Sequence, residues 1–500
     1  MRCFPLLPLV LLLGGLCAAA AEFDARKYGA AGDGRTKDTA ALQKAIDAAS
    51  GSGGGTVLLT PGAYLCGTLE MKSGVTLQLQ KGATLLGSTD PRDYHHNALL
   101  VAEGQHHLGL CGEGCIDGQG AQLYAAIEKD GAWRKLSGKR PPENLRPMLI
   151  KFTGCAEVTV RDLTLKSAAC WVQDYIDCER LTLDHVTVRS TAAWNNDGID
   201  IYGCRDVVVR GCDVDSADDG ICLKSGATAC DRVLIENCRI RSSASALKFG
   251  TSSHAGFKNI TVRHLDIYDT ARSAIALESV DGALIENVDI SHVRATNTGN
   301  AIFLRLGHRD EKSPVGALRN VQISDVIVDV PADQPDLKYP FPCPPVRAPH
   351  NLLPASIVGL PGHPVQNVRL RDITITYAGG GRRDRAQVTP DRVPEQAAKY
   401  PEFSMFGELP AWGFYCRHAE GISFSNCTFR CTARDYRSAL VCDDVKNLVL
   451  DGCHLLPAGD EPTVLLNNVR DALLRASPAP AGAKTFLETR GDCAHITTLP

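Results

Sequence analysis

The sequence predicts an all-β fold, a parallel β-helix (β-solenoid) with an N-terminal capping helix. Short apolar alternations begin at Cys155, Cys178, Cys204 and Cys230, at intervals of 23, 26 and 26 residues. Short strands with β-branched alternation, repeated at a period in the twenties, are typical of a β-solenoid. One amphipathic segment stands ahead of the strands, and an open stack of strands needs such a cap to protect its edge.

The capping helix is expected to begin at Asp38 or Thr39, either of which can act as the N-cap, and to run to about Ala49. A leucine-rich solenoid is the alternative fold, but its fixed Leu and Asn offsets and its helical half-turns do not occur in this sequence. The predicted buried face of the capping helix consists of Leu42, Ala45, Ile46 and Ala49. Weaker copies of the strand repeat begin at Phe257, Gly282, Leu318, Val365, Ala419 and Val445.

Residues 1–21 are expected to be a signal peptide, because Arg2 precedes an apolar stretch that ends in a run of small residues. Residues 22–500 are then expected to form a single β-helix domain of a secreted protein, either extracellular or periplasmic. Long loop insertions near 331–364 and 379–410 are either functional or surface decoration. The net charge of −4 provides no basic surface for nucleic acid, and no other segment could cross a membrane. A monomer is expected.

Many cysteines recur at equivalent positions of the repeat, such as Cys204 with Cys230. Export permits disulfides, whereas recurring cysteines can also stack as small buried hydrophobic side chains. We expect a mixture of both, with no pairing assigned. The sequence has no CxxC pair of the zinc type, so no metal or cofactor is expected.

Two acidic clusters, Asn195–Asp197 and Asp218–Asp219, each precede a short apolar alternation. Asp219 follows Asp197 by 22 residues, which is close to the repeat length, so we expect the clusters to stack on adjacent turns. Converging carboxylates raise one another's pKa, which leaves one protonated as an acid and another ionised as a base. Glycoside hydrolysis needs such a pair. Turn-forming aspartates and a calcium site are the alternatives.

The chain resembles family 28 of the glycoside hydrolases, the polygalacturonase family, in its opening motif and in both acidic clusters. Tyr28–Gly34 and Thr39–Ile46 match the family's opening. Asn195–Asp200 matches its Asn-x-Asp-Gly-hydrophobic-Asp motif, and Asp218–Gly226 matches its Asp-Asp motif, which ends in Lys-Ser-Gly. The resemblance covers residues 23–455 and implies a right-handed parallel β-helix that hydrolyses pectic polysaccharide.

By this resemblance Asp218 is the general acid, while Asp197 and Asp219 hold and activate the attacking water, with inversion at the anomeric carbon. Asn195 and Lys224 would line the site. Stacked turns lie about 4.8 Å apart, whereas the carboxyl groups of inverting enzymes are usually about 6.5–9.5 Å apart. Spacing alone therefore indicates retention, and we expect inversion from the family chemistry if the site admits a water molecule.

The sequence departs from the family pattern at two places. The family's Gly-His-Gly falls at residues 244–246, which read Ala-Ser-Ala, so Lys248 or His254 would have to replace the histidine. The family's Arg-Ile-Lys falls within residues 273–278, which lack both cations and place Glu278 where it would repel a substrate carboxylate. The expected substrate is therefore a modified or branched pectic chain, such as rhamnogalacturonan, or a terminal sugar released by exo action. The candidate substrate-binding residues are Asn195, Lys224, Lys248, His254, Arg272 and Glu278.

Two other functions stay open at this point. A β-helix polysaccharide lyase would use calcium or a basic side chain to remove a proton beside a carboxylate. A non-catalytic carbohydrate-binding β-helix is suggested by the missing histidine. Among the weaker candidates, Arg305, His308 and Arg309 are expected to form an exposed charge run.

Overall fold

The chain forms a parallel β-helix, which confirms the predicted fold class. Successive turns pair in parallel, so that Val158, Leu181, Val207 and Val233 are Cα partners on four neighbouring turns. The expected signal peptide falls, apart from its last residue, outside the described residues. The computed structural model describes residues 21–135, 140–335, 337–341, 353–386, 388–456 and 461–500.

The strands stack into three faces along the helix axis. The first face contains Glu22–Asp24, Gly55–Leu59, Val75–Leu79, His106–Cys111, Ala156–Arg161, Glu179–Asp184, Arg205–Arg210 and Ala494–Leu499. The second face contains Asp33–Lys37, Gly62–Cys66, Ala83–Gly87, Cys115–Asp117, Thr164–Lys166, Thr187–Ser190, Asp213–Ser216, Thr428–Cys431 and His454–Leu456. The third face contains Leu69–Glu70, Ala98–Glu103, Met148–Thr153, Gln173–Ile176, Ile199–Tyr202, Ile221–Lys224, Leu247–Phe249, Ala355–Val358 and Leu487–Arg490. Long strands continue from one face to the next at Cys230–Ser242, Gly256–Ser279, Leu284–Leu306, Ala317–Val330, Val365–Tyr377, Ala411–Ser425, Ser438–Asp451 and Val464–Arg475.

The capping helix spans Thr39–Gly51, and its predicted apolar face is buried as expected. The capping role of Asp38 is different from the predicted one. Asp38 stands at the N-cap position, but its carboxylate accepts hydrogen bonds from the backbone N–H groups of Ala31 and Gly32, at 2.7 and 3.0 Å. The carboxylate therefore fixes the glycine-rich turn rather than the helix.

The remaining helices of the described residues are short. None of them has the length and apolar content that crossing a bilayer requires. The α-helices after the cap are Gly120–Asp130 and Arg383–Ala386, and the 3₁₀ helices are Ala25–Tyr28, Pro91–Asp93, Ala132–Lys135, Glu143–Leu145 and Pro390–Arg392.

The interior contains columns of cysteine side chains. All seventeen cysteines in the described residues are free thiols, so the expected mixture with disulfides is not found there. Cys178 and Cys204 stack on adjacent turns, and the backbone N–H of Cys178 donates to the Sγ of Cys204 at 3.3 Å. The thiols act here as small core side chains, which is the behaviour of buried free cysteine.

An asparagine ladder occupies one corner of the helix. Asn287, Asn320 and Asn367 each donate a side-chain N–H to the side-chain oxygen of the asparagine one turn earlier, at 3.3, 3.4 and 3.1 Å. Each of these residues has a positive φ, between 54° and 56°. Asparagine tolerates this left-handed conformation better than other residues with a side chain.

Replacing Asn320 by Ala is expected to lower the free energy of unfolding by about 1–2 kcal/mol, because alanine has a steric cost at positive φ and cannot form the ladder. Asn320→Gly is the matched control, since glycine loses the ladder bond but adopts this φ freely. Urea denaturation of the three proteins measures the difference. Equal losses in the two variants would contradict the proposed role of backbone conformation.

Candidate active site

The two acidic clusters meet on the third face, as the 22-residue spacing predicted. Ile199 pairs with Ile221 on the next turn, which puts Asp197 and Asp219 at equivalent positions. Carboxylate oxygens of Asp197, Asp218 and Asp219 lie within 4.8 Å of one another. Asp197 and Asp219 are buried, whereas Asp218 is partly exposed. They lie in a cleft with a volume of about 480 Å³.

Two glycines allow the acidic turns to stack closely. Gly198 follows Asp197, and Gly220 follows Asp219. A Cβ atom on Gly198 would lie 2.7 Å from the carbonyl oxygen of Gly220, and one on Gly220 would lie 2.7 Å from the carbonyl oxygen of Ala246. The Asp-Gly pairs in both motifs therefore have a steric reason: any side chain after the aspartate would push the turns apart.

Asn196 and Arg146 fix the turn that carries Asp197. The buried side-chain oxygen of Asn196 accepts hydrogen bonds from the backbone of Ala192 and Ala193, both at 3.1 Å. The guanidinium of Arg146 is fully buried; it donates to the side-chain oxygen of Asn195 at 2.8 Å and also to the carbonyl oxygen of Trp194. Asn195 is thus held at the cleft edge, where the prediction placed it.

Lys224 supplies positive charge beneath the first acidic cluster. Its buried Nζ lies 3.2 Å from Asp197 and also contacts Asp200, and it lies 4.0 Å from the centre of the Trp171 ring. Burial raises the pKa of Asp197 well above its ordinary value; Lys224 opposes this shift, and the carboxylate of Asp200 adds to it. Burial also raises the pKa of Asp200 to about 6. The carboxyl groups of Asp197 and Asp200 therefore retain protons at pH values where isolated carboxyl groups have lost them.

Lys248 and Glu278 form a buried ion pair behind Asp219. The Nζ of Lys248 lies 3.2 Å from Asp219 and 3.7 Å from Glu278, and both Lys248 and Glu278 are 2% exposed. The sequence-based expectation that Glu278 would repel a substrate carboxylate is wrong, because Lys248 covers and partly neutralises it. Lys248 itself lines the cleft. It follows closely after residues 244–246, where the family's histidine is expected.

His254 is not a replacement for that histidine. It is exposed, its Nδ1 lies 2.9 Å from the carbonyl oxygen of Asp281, and it is absent from the cleft lining. Its side chain is therefore oriented towards a neighbouring turn, away from the carboxylates. This placement leaves Lys248 as the cation next to Asp219 among the residues proposed to replace the histidine.

Burial raises the pKa of Glu278 from its ordinary value of 4.5 to about 7, and Lys248 opposes the shift. A carboxyl group with a raised folded-state pKa stabilises the fold fully below pH 4.5, and this contribution is lost as the pH rises towards 7. Glu278→Gln is therefore expected to flatten the fall in unfolding free energy across this pH range, by on the order of 3 kcal/mol.

Thermal and urea unfolding at several pH values measures this change. Glu286→Gln, at a partly exposed glutamate paired with Arg319, is the control. If Glu278→Gln and Glu286→Gln gave the same pH profile of stability, the raised pKa of the buried Glu278 would be disproved.

Arg272 and Arg309 line the cleft but are held by acidic partners. Arg272 pairs with Glu402, and Arg309 donates to both oxygens of Asp281, at 2.8 and 2.6 Å. The expected exposed charge run is wrong for Arg305, which is fully buried and donates to the carbonyl oxygens of residues 359 and 395, at 3.0 and 2.8 Å. Arg305 anchors the second insertion to the helix.

The second insertion closes the cleft on its C-terminal side. Asp200, Cys222 and Lys248 are Cα partners on successive turns. This column of partners continues through Ala276 and Phe303 to later turns. From Phe303 onwards this face is covered by a segment of the insertion, residues 393–409, which we call the C-terminal wall. The apolar contacts of this wall involve Val393, Phe403, Met405, Phe406 and Leu409 from the insertion, and Phe303, Tyr415, Val441 and Leu465 from the helix.

A further cavity lies along the same face on the N-terminal side of the cleft. The same column runs back from Asp200 through Asp174 and Lys151 to Val101. Lys151 and Val101 line this cavity, which has a volume of about 440 Å³. The insertion therefore covers this face on the C-terminal side of the cleft, and a separate cavity lies on the N-terminal side.

Several residues of the cleft were missed by the sequence analysis. Tyr400, which is 46% exposed, belongs to the C-terminal wall region, and Trp171, Trp194 and Arg140 lie at other edges. All four come from segments outside the repeat, so no periodic pattern marks them. The only available signal was the position of Trp194, directly before Asn195.

The donor atoms of Asp197, Asp200 and Cys222 also lie within 4.8 Å of one another, as do those of the three clustered aspartates. Such groups have the kinds of atoms that divalent cations use. The ammonium groups of Lys224 and Lys248 already contact these carboxylates. Positive charge is thus supplied by the chain itself.

Comparison with known proteins places this cleft in context. The chain is similar to a probable polygalacturonase of Vitis vinifera, with 24% identity over 303 residues, which cover 56% of each protein. It thus matches little more than half the length of that relative. Two solved structures share the fold. A Thermotoga maritima exopolygalacturonase has a TM-score of 0.59 and 20% identity, covering 71% of this chain and 87% of that one. A Yersinia enterocolitica family 28 exopolygalacturonase has a TM-score of 0.56 and 17% identity, covering 96% and 78%.

The family model described as "Glycosyl hydrolases family 28" matches residues 55–332, which is more than half of the chain. These residues include both acidic clusters, Lys248 and Glu278, and they end near the start of the first insertion. This chain therefore belongs to family 28 of the glycosyl hydrolases.

Proposed function

We propose that the protein is a glycosidase that hydrolyses pectic polysaccharide of the galacturonan or rhamnogalacturonan type from a chain end. The observation that carries this proposal is the group of three carboxylates, Asp197, Asp218 and Asp219, whose oxygens lie within 4.8 Å of one another in a cleft. Such a group can contain a protonated acid and an ionised base at the same pH. Family membership supports the same chemistry.

In the proposed reaction Asp218, the partly exposed member, donates its proton to the glycosidic oxygen as the carbon–oxygen bond breaks. A water molecule held by Asp197 and Asp219 attacks the anomeric carbon, and one of these carboxylates accepts the water's proton. The ammonium group of Lys248 contacts the carboxylate of Asp219 at 3.2 Å and holds it in position. The backbone N–H of Asp219 donates to Asp218 at 3.0 Å, which orients the acid.

The C-terminal wall supports exo action. A polymer that bound across the cleft would need open surface on both sides of the carboxylates, whereas apolar contacts of residues 393–409 cover one side. The chain end would then lie against this wall, and the rest of the polymer would extend along the turns near Lys151, which line the further cavity.

A product profile tests the proposal. The protein is incubated with polygalacturonan, rhamnogalacturonan and their oligosaccharides, and released sugars are followed by chromatography and by proton NMR of the anomeric signal. We expect one small saturated product, little early fall in viscosity, and first appearance of the inverted anomer. Unsaturated products would indicate a lyase, and binding without any release would indicate a carbohydrate-binding protein; either result would overturn the proposal.

The same NMR time course settles the stereochemical question raised by the spacing. The closest oxygens of the carboxylates are within 4.8 Å, which is shorter than the separation of about 6.5–9.5 Å typical of inverting pairs. Inversion is proposed from family membership. First appearance of the retained anomer would show that one carboxylate acts as a nucleophile instead.

We also propose that the protein is exported, because polymeric pectic substrates lie outside cells and the first 21 residues have the pattern of a leader. We further propose that it is a monomer. Sequencing the N-terminus of protein recovered from the culture medium or periplasm tests the export. Processing near Glu22 is the expected result, and size-exclusion chromatography with light scattering tests the monomer.

A further inference from the structure

An aromatic and cationic wall forms one edge of the cleft. The guanidinium carbon of Arg140 lies 5.5 Å from the centre of the Trp194 ring, and both residues line the cleft together with Asp197 and Asp218. An arginine that is stacked on an aromatic face keeps its N–H groups available in the plane of the guanidinium. The arrangement therefore presents hydrogen-bond donors beside the carboxylate cluster.

This wall is held in place by its surroundings. The buried Arg146 donates to the carbonyl oxygen of Trp194, and the ring of Phe341, from the first insertion, lies 5.8 Å from the Trp194 ring. The Phe341 ring also contacts Tyr124, whose ring centre lies 5.3 Å away. Fixed side chains lose less entropy when a ligand binds, so a group built in this way is suited to recognition.

Arg140 differs from the other cations of the cleft. No carboxylate of the described residues lies within ion-pair distance of the Arg140 guanidinium. The other cleft cations have acidic partners, which are Asp197 and Asp200 for Lys224, Asp219 and Glu278 for Lys248, Glu402 for Arg272, and Asp281 for Arg309.

We propose that Arg140, supported by Trp194, binds the carboxylate of a uronic acid residue in the substrate. The guanidinium offers two parallel N–H donors that match the two oxygens of a carboxylate. Residues 273–278, where basic side chains were expected from the sequence pattern, contain none. This inference rests on the proposed function and specifies how the cleft selects an acidic sugar.

The test compares acidic oligogalacturonate with its methyl ester, which has the same sugars but no charge. Arg140→Gln is expected to lower kcat/KM on the acidic chain by on the order of ten- to a hundredfold, the effect of one charged hydrogen-bond pair. On the methyl ester the change is expected to be less than about threefold, a typical size for a surface substitution. Arg134→Gln is the matched control, because Arg134 is also stacked on a tryptophan, at 5.1 Å from Trp133, but is absent from the cleft lining.

Equal losses of kcat/KM on the two substrates would overturn the inference while leaving the proposed function intact. Failure of the wild type to release any sugar from either chain would instead overturn the proposed function and this inference with it. If Arg140→Gln folded poorly, the wild type provides a second measurement. Added salt should raise KM for the acidic chain and leave KM for the ester unchanged, because screening weakens only the charged contact. No difference in salt response would also overturn the inference.

Discussion

Asp218→Asn is expected to lower kcat on the pectic substrate by about 10²- to 10⁴-fold, the usual contribution of a general acid. Asparagine has nearly the same shape as aspartate, but its amide protons are too weakly acidic to be transferred to the leaving oxygen. Its side-chain oxygen can still accept the backbone N–H of Asp219, which now donates to Asp218 at 3.0 Å. The loss should therefore appear in kcat, while KM and the melting temperature change little.

A leaving group of low pKa provides a sharper test of this role. Such a group departs with little protonation, so Asp218→Asn should retain far more of its activity on an aryl glycoside of the released sugar. Asp206→Asn is the control, since Asp206 pairs with Arg232 outside the cleft. A variant at Asp218 that retained full activity on the natural polymer would remove Asp218 from the mechanism.

Lys248→Met is expected to have the second large effect, on both stability and rate. The ammonium lies between two buried carboxylates, 3.2 Å from Asp219 and 3.7 Å from Glu278. Burial lowers the pKa of Lys248, but these carboxylates outweigh burial and keep that pKa well above its ordinary value, so the group is charged. Removing one member of a buried ion pair typically costs about 3–5 kcal/mol, because its partner is left without compensation.

The double variant Lys248→Met/Glu278→Gln separates the two effects. It removes the uncompensated charge of Glu278, so much of the unfolding free energy should return. Activity should not return, because the carboxylate of Asp219 still lacks the ammonium group that contacts it at 3.2 Å. Lys258→Met, at a partly exposed lysine near Asp231, is the control. Recovery of full activity in the double variant would show that Lys248 has only a structural role.

The stacking of the two acidic clusters could be predicted because it follows from the repeat. In a parallel β-helix the sequence distance between equivalent positions equals the length of one turn, so 22 residues place Asp219 over Asp197. The burial of Ile46 on the capping helix followed in the same way from helical spacing. Both predictions depended on periodicity, which a single sequence displays directly.

The environment of Glu278 could not be predicted by such reasoning. Its place in the chain suggested a side chain facing the substrate, whereas the structure buries it behind Lys248. The direction of each side chain depends on the register at a given turn, and one residue of shift reverses it. Tyr400 and Arg140 lie in segments outside the repeat, and only the folded structure brings them to the cleft.

The columns of buried thiols give unfolding an unusual consequence. Each buried thiol is protected from oxidants only while the turns remain stacked, and the fourteen buried thiols of the described residues would become accessible together on unfolding. In an oxidising compartment these thiols would form non-native cross-links, which would trap the chain before it could refold. The working lifetime of the protein in such a compartment is then determined by its rate of unfolding. The equilibrium between folded and unfolded chains does not determine it.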